Sequence, residues 1–119
     1  MPPLETATRE LRQILAADYR APEWRWNVRR RLSEVKEALS SPLSGHQEAW
    51  LAARTRLSNR DRIQLQGRVT ALATGVLDRL DAETILHEVQ RLLGDLERHV
   101  QREHDLVYDS VSLELGGSE

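Results

Sequence analysis

Along most of this chain apolar residues recur every three or four positions, the spacing of one buried helix face. The first series, Leu4, Leu11, Ile14 and Leu15, predicts a short helix over 3–18. The second, Trp24, Val28, Leu32, Val35 and Leu39, predicts a helix that ends at Ser40-Ser41-Pro42. Pro22 suits its first position, where a missing N–H has no intrahelical partner to lose. Ser44-Gly45-His46-Gln47 has the spacing of a capping box and predicts a third helix to about 57, anchored by Trp50 and Leu51. Ser58-Asn59-Arg60-Asp61 reads as another helix start, ahead of Ile63, Leu65, Val69, Leu72, Val76 and Leu80. Gly67 and Gly75 interrupt that fourth helix. Asp81 caps a last helix to about 110, with Ile85, Val89, Leu92, Leu96 and Leu106 inward. The near-absence of a loop before Asp81 forces the last two helices antiparallel. The alternating, then glycine-rich residues after Ser110 predict a strap, 111–119, lying back on the bundle.

Within the last helix, His99 and Glu103 continue the apolar series. At about 100° per residue, His99 falls within roughly 60° of Leu92, Leu96 and Leu106, with Glu103 one turn further on the same side. Both are expected to point inward. An unsatisfied buried polar group costs about 1–3 kcal/mol, so something in the core must answer them. The candidates are each other, a polar group on a facing helix such as an arginine or tryptophan N–H, a buried water, or a metal. A hydrogen-bonded structural pair and a metal position both fit, since histidine and glutamate one turn apart is a spacing that helical bundles use for metals.

At 119 residues, 39% hydrophobic and 30% charged, the chain reads as one globular all-α domain with its bundle core over 22–110. A net charge of −2 gives no electrostatic case for nucleic acid or an acidic membrane. No segment approaches the roughly 20 apolar residues of a membrane span, and the opening Met1-Pro2-Pro3-Leu4-Glu5 lacks the features of a secretory signal. A cytoplasmic location is the resulting expectation. Without cysteine, any metal is left to nitrogen and oxygen ligands. Sixteen of the seventeen basic residues are arginine, Lys36 being the exception, a bias that reads first as that of a high-GC genome.

Other side chains carry weaker signals. His87 and His104 lie about 120–140° around the helix from His99 and are expected in solvent. His46 fits either a capping turn or a ligand position. Trp24 and Trp26, two apart, cannot share a helix face. Trp24 belongs to the core, which leaves Trp26 exposed, where it can anchor a partner or stack under an arginine. Arg20, Arg25, Arg29, Arg30 and Arg31 form a locally basic region that reads either as a solvated face paired with Glu34 and Glu37 or as a docking patch for an acidic partner. No serine–histidine–acid arrangement, phosphate-binding glycine loop or H-E-x-x-H is present, so enzyme chemistry has little support, and catalysis on a small molecule in a bundle cavity would rest on His99 and Glu103 alone.

The stretch from Leu96 to Tyr108, with its His99-x-x-x-Glu103 pattern, resembles the terminal helix of the haemerythrin-like (HHE cation-binding) family. The continuation through Tyr108-Asp109 to Leu113-Glu114-Leu115-Gly116-Gly117 is similar to the ending of a bacterial branch of small haemerythrin-like proteins. Glu48-Ala49-Trp50-Leu51, Arg56-Leu57 and the helix after Asp61 fall where that branch has its second-helix acid, loop and third helix. The resemblance implies an up-and-down antiparallel four-helix bundle, which in that family holds two non-haem irons through histidines and carboxylates. It implies His99 and Glu103 as ligands, with Glu48 as the second-helix acid. Ser44 stands in place of that acid's histidine partner, and His46 is two residues out of register. Gly67, Arg68, Val69, Thr70 and Thr74 occupy the third-helix region where the family has histidines, so much of the ligand set is missing. His104 and Asp109 have an H-x4-D spacing that some members also show.

The leading expectation is therefore a haemerythrin-like bundle that has lost most of its metal ligands. It would act without catalysis as a binding or regulatory module, with a protein partner or as a homo-oligomer, using Trp26, Arg25, Arg29 and Arg30. The competing expectation is a non-haem iron protein that binds or senses oxygen or a redox signal through His99, Glu103, Glu48 and His46.

Overall fold

The computed structural model describes residues 3–40, 49–76 and 81–116, and the side chains of 49–53, 76 and 107–116 lie outside the description. Four helices follow in order: α1 (Leu4–Leu15), α2 (Trp24–Leu39), α3 (Ala49–Val76) and α4 (Ala82–Gly116). Each packs against its neighbours in a closed ring, α1 on α2, α2 on α3, α3 on α4 and α4 back on α1. The cross-helix pairs fix an antiparallel course: on α1 and α4, Glu5 meets His104 while Arg12 meets Glu97. On α3 and α4, Ser58 meets Glu103 while Arg68 meets Asp95. The all-α antiparallel bundle expected from the periodicity is the observed fold, with the short N-terminal helix serving as one of its four members.

The core is built from the predicted faces. Leu4, Leu11 and Leu15 of α1, all five apolar positions of α2 and Ile85, Val89, Leu92, Leu96 and Leu106 of α4 are buried. Trp24 also closes a helix end. Its indole Nε1 donates to the Ile14 carbonyl at 3.1 Å, one of the last carbonyls of α1, which also accepts the Ala17 backbone N–H at 3.1 Å. Asp81 caps α4 as expected, its Oδ1 accepting the Thr84 backbone N–H at 2.7 Å.

Several expectations are corrected. Pro22 lies before the helix rather than at its first position, because α2 begins at Trp24 with Glu23 as its cap residue. The third and fourth predicted helices are one continuous α3, and Gly67 causes no break. Ser58 starts no helix; its hydroxyl is turned inward to Glu103. Ile63, expected inward, is 68% exposed. The buried face of α3 runs instead through Thr55, Arg62, Leu65 and Val69, three or four residues apart. Residues 111–116, expected to form a strap, continue α4 as helix. The capping box at Ser44–Gln47, with His46 and Glu48, lies outside the described residues.

The helices differ greatly in length, from 12 residues in α1 to 35 in α4. At 1.5 Å per residue α4 spans about 52 Å, which accounts for a long axis of 58 Å against widths of 23 and 22 Å. Near Leu39 and Leu4 the two short helices end. Beyond that level, of the described elements, only α3 and α4 continue.

Candidate functional site

A buried polar network lies where α2 ends against α3 and α4. Glu103, on α4, is 7% exposed. The guanidinium of Arg62 reaches it from α3 as a two-pronged fork, Nε donating to Oε2 and Nη2 to Oε1, both at 2.7 Å. This bidentate arrangement is the strongest geometry available to an arginine and a carboxylate. The third nitrogen, Nη1, donates to the Ala38 carbonyl at 2.9 Å. That carbonyl belongs to the last turn of α2, where the helix runs out of N–H donors of its own, so Arg62 helps to cap α2 while holding Glu103. Ser58, one turn before Arg62, donates its hydroxyl to Glu103 Oε2 at 2.9 Å. One carboxylate and one guanidinium thus tie three helices together.

Burial alone would raise the pKa of Glu103, but close contacts from His99, Arg62 and Ser58 favour the carboxylate more strongly, and the balance lowers it from 4.5 to about 2. His99 is fully buried, as its place in the apolar series implied. Its Nε2 lies 3.2 Å from Glu103 Oε2 and its Nδ1 lies 3.9 Å from Asp61 Oδ2. Neither ring nitrogen makes a hydrogen bond of good geometry. The imidazole stands between two carboxylates, while Glu103 takes its hydrogen bonds from Arg62 and Ser58.

On the solvent side an open cleft of about 220 Å³ lies between α3 and α4, lined by Arg54, Leu57, Ser58, Asp61, Arg102 and neighbours. Ser58 and Asp61 face both this cleft and the network. Arg102 closes over Asp61 at 3.3 Å.

The structure brings His99 and Glu103 together as the sequence implied, and places Arg62, Ser58 and Asp61 beside them. None of these three stands on the apolar series of α3 when that series runs through Ile63. The signal was available: Arg62 lies three residues before Leu65 and seven before Val69, so it interrupts the buried stripe of α3 as Glu103 interrupts that of α4.

This donor set does not fit a resident metal. Both Glu103 oxygens are engaged by Arg62, so a cation held by Glu103 and His99 would sit beside a guanidinium. Among the described residues no group of three histidine, aspartate or glutamate side chains is placed so that it could hold a metal ion. His87 and His104 are exposed, the latter 3.3 Å from Glu5, and the Asp109 side chain lies outside the description.

Trp26 is 64% exposed on α2, with Arg29 and Arg30 exposed one turn away. Arg30 approaches Glu34 only at 4.0 Å. Arg31 is drawn into the bundle surface, donating to Glu10 and Glu34 at about 3 Å. Arg25 is half-buried and acts electrostatically on Asp81. The basic region therefore divides between internal pairing and a smaller outward face of Trp26, Arg29 and Arg30. No described helix is long and apolar enough to cross a membrane. Compared with protein-family models, curated proteins and solved structures, the chain matches none.

Proposed function

We propose that this protein is a haemerythrin-like bundle that works without catalysis as a binding or regulatory module. The observation that carries the reading is the Arg62 fork on Glu103. It spends the one buried carboxylate of the polar centre on joining α2, α3 and α4. With that centre committed to structure, the chemistry left for function is on the surface, and the exposed Trp26 beside Arg29 and Arg30 is suited to an acidic, partly apolar partner.

Two measurements test this. Metal content is determined on protein expressed with iron supplementation and purified without a metal-affinity tag. Trp26 fluorescence is then followed during titration with poly-glutamate, with Trp26→Ala as control. Sub-stoichiometric iron and a saturable, salt-sensitive response support the reading; near-stoichiometric iron that is lost in His99→Ala overturns it.

One observation favours a second reading, a non-haem iron protein that responds to oxygen or a redox signal: the two ring nitrogens of His99 are buried without hydrogen bonds. That reading requires Glu103 to exchange Arg62 for a cation, and the same iron measurement decides it.

A further inference from the structure

We infer that the outer face shared by α2 and α3 is a two-fold dimer interface in which Trp26 of one copy packs on Ile63 of the other. The inference rests on the binding-module reading and names a second copy of this chain as the partner.

Among the described residues the exposed large hydrophobics are Trp26, Leu57 and Ile63, and Leu57 lines the cleft beside α4. The other two share one face. On α3, Arg62 turns toward α2 and Arg68 toward α4. Ile63 follows Arg62 by about 100° and so lies on the α2 side of the outer surface. On α2, Arg31 turns toward α1, and Trp26 lies about 140° around the helix from it, on the α3 side. The bond from Arg62 to the Ala38 carbonyl sets the level of the two antiparallel helices. Trp26, twelve residues before Ala38, is therefore level with Thr74, twelve residues after Arg62. By the same register Ile63 is level with Glu37.

The surface between these two anchors is smooth and uncharged on α3. Gly67, Thr70 and Thr74 fall within about 60° of Ile63. A side chain at Gly67 would meet open space. The hydroxyls of Thr70 and Thr74 donate back to the carbonyls of Gln66 and Thr70 at 2.9 and 2.8 Å, which leaves their methyl groups outward.

An isologous interface needs a patch complementary to itself, and this face has that property twice over. A two-fold axis midway between the anchors, about 16 Å apart along the helices, lays Ile63 of each copy on Trp26 of the other. The same operation brings Glu37, beside Ile63, onto Arg29 and Arg30, beside Trp26. All three are exposed, so charge complementarity and apolar matching select the same arrangement.

Sedimentation velocity of the full chain across the micromolar range tests this, with circular dichroism confirming helicity in each variant. The wild type should show a reversible monomer–dimer equilibrium. Ile63→Lys and Trp26→Ala should each weaken it by about tenfold or more. Glu37→Arg should weaken it as well, and combining it with Arg29→Glu and Arg30→Glu should restore it. A wild-type chain monomeric throughout, or a dimer indifferent to Ile63→Lys, overturns the inference. A monomer whose Trp26 still answers poly-glutamate would leave the binding-module reading standing alone, whereas a monomer silent to poly-glutamate would remove both.

Discussion

Replacing Arg62 with methionine should destabilise the protein by about 3–5 kcal/mol at neutral pH, because it strands a buried carboxylate rather than merely deleting an ion pair. The magnitude can be approached from the structure. Glu103 is shifted from 4.5 to about 2; at about 1.4 kcal/mol per pH unit, the gap corresponds to roughly 3 kcal/mol of preference for the charged form in the folded state. Because the folded pKa is depressed, that stabilisation is fully present above the unfolded value of 4.5 and is lost as pH falls toward about 2. Without Arg62 the carboxyl keeps its burial and loses its fork, so its pKa climbs. The acid-side loss of stability should then shrink together with the neutral-pH stability. Urea unfolding of wild type, Arg62→Met, Glu103→Leu and the double variant, at neutral pH and in steps down to about pH 3, reads both effects. The double variant should cost less than the two singles added, since it removes the charge that each single leaves behind. A cost below about 1 kcal/mol for Arg62→Met, or additive singles, would refute the view that this pair holds the three helices.

Two further substitutions separate polar from packing roles. His99→Leu should change stability by no more than about 1 kcal/mol, because removing two buried nitrogens without hydrogen bonds offsets the loss of the close contact that favours the Glu103 carboxylate, while His99→Ala should cost about 2–4 kcal/mol through the cavity it leaves. Thermal denaturation distinguishes them, and a large loss for leucine would mean that the imidazole has a polar partner in solution. Trp24→Phe should cost about 0.5–1.5 kcal/mol, measured by urea unfolding, because the Ile14 carbonyl loses the indole donor but keeps the Ala17 N–H at 3.1 Å. A loss above about 3 kcal/mol would show that the indole contributes more than this one hydrogen bond.

The parts of this protein written plainly in its sequence are those set by local periodicity. The face of α2 from Trp24 to Leu39 is buried as its spacing implied, and Asp81 caps α4 because an aspartate before a helical run has one favourable use. His99 and Glu103 were legible as inward polar residues for the same reason: position on a stripe depends only on residue spacing within one helix. What answers them depends on which helix faces α4 and at what level, which no local pattern encodes. Ser58 illustrates this, since as a string of residues it reads as a helix start, yet packing carries the helix straight through it and turns its hydroxyl to Glu103, 45 positions away. Arg62 illustrates it further. Only when α2 ends beside it does a charged residue in a buried stripe become the cap of one helix and the counter-ion of another. Ile63 has the apolarity and spacing of a core residue, but the register of Arg62 against Ala38 turns it outward. Spacing along one backbone set the helical class and the buried faces of α1, α2 and α4, whereas the continuity and the inward face of α3 followed from packing. The tertiary structure alone decided the partners across helices and the shared outer face of α2 and α3, because these depend on rotation and register between distant segments.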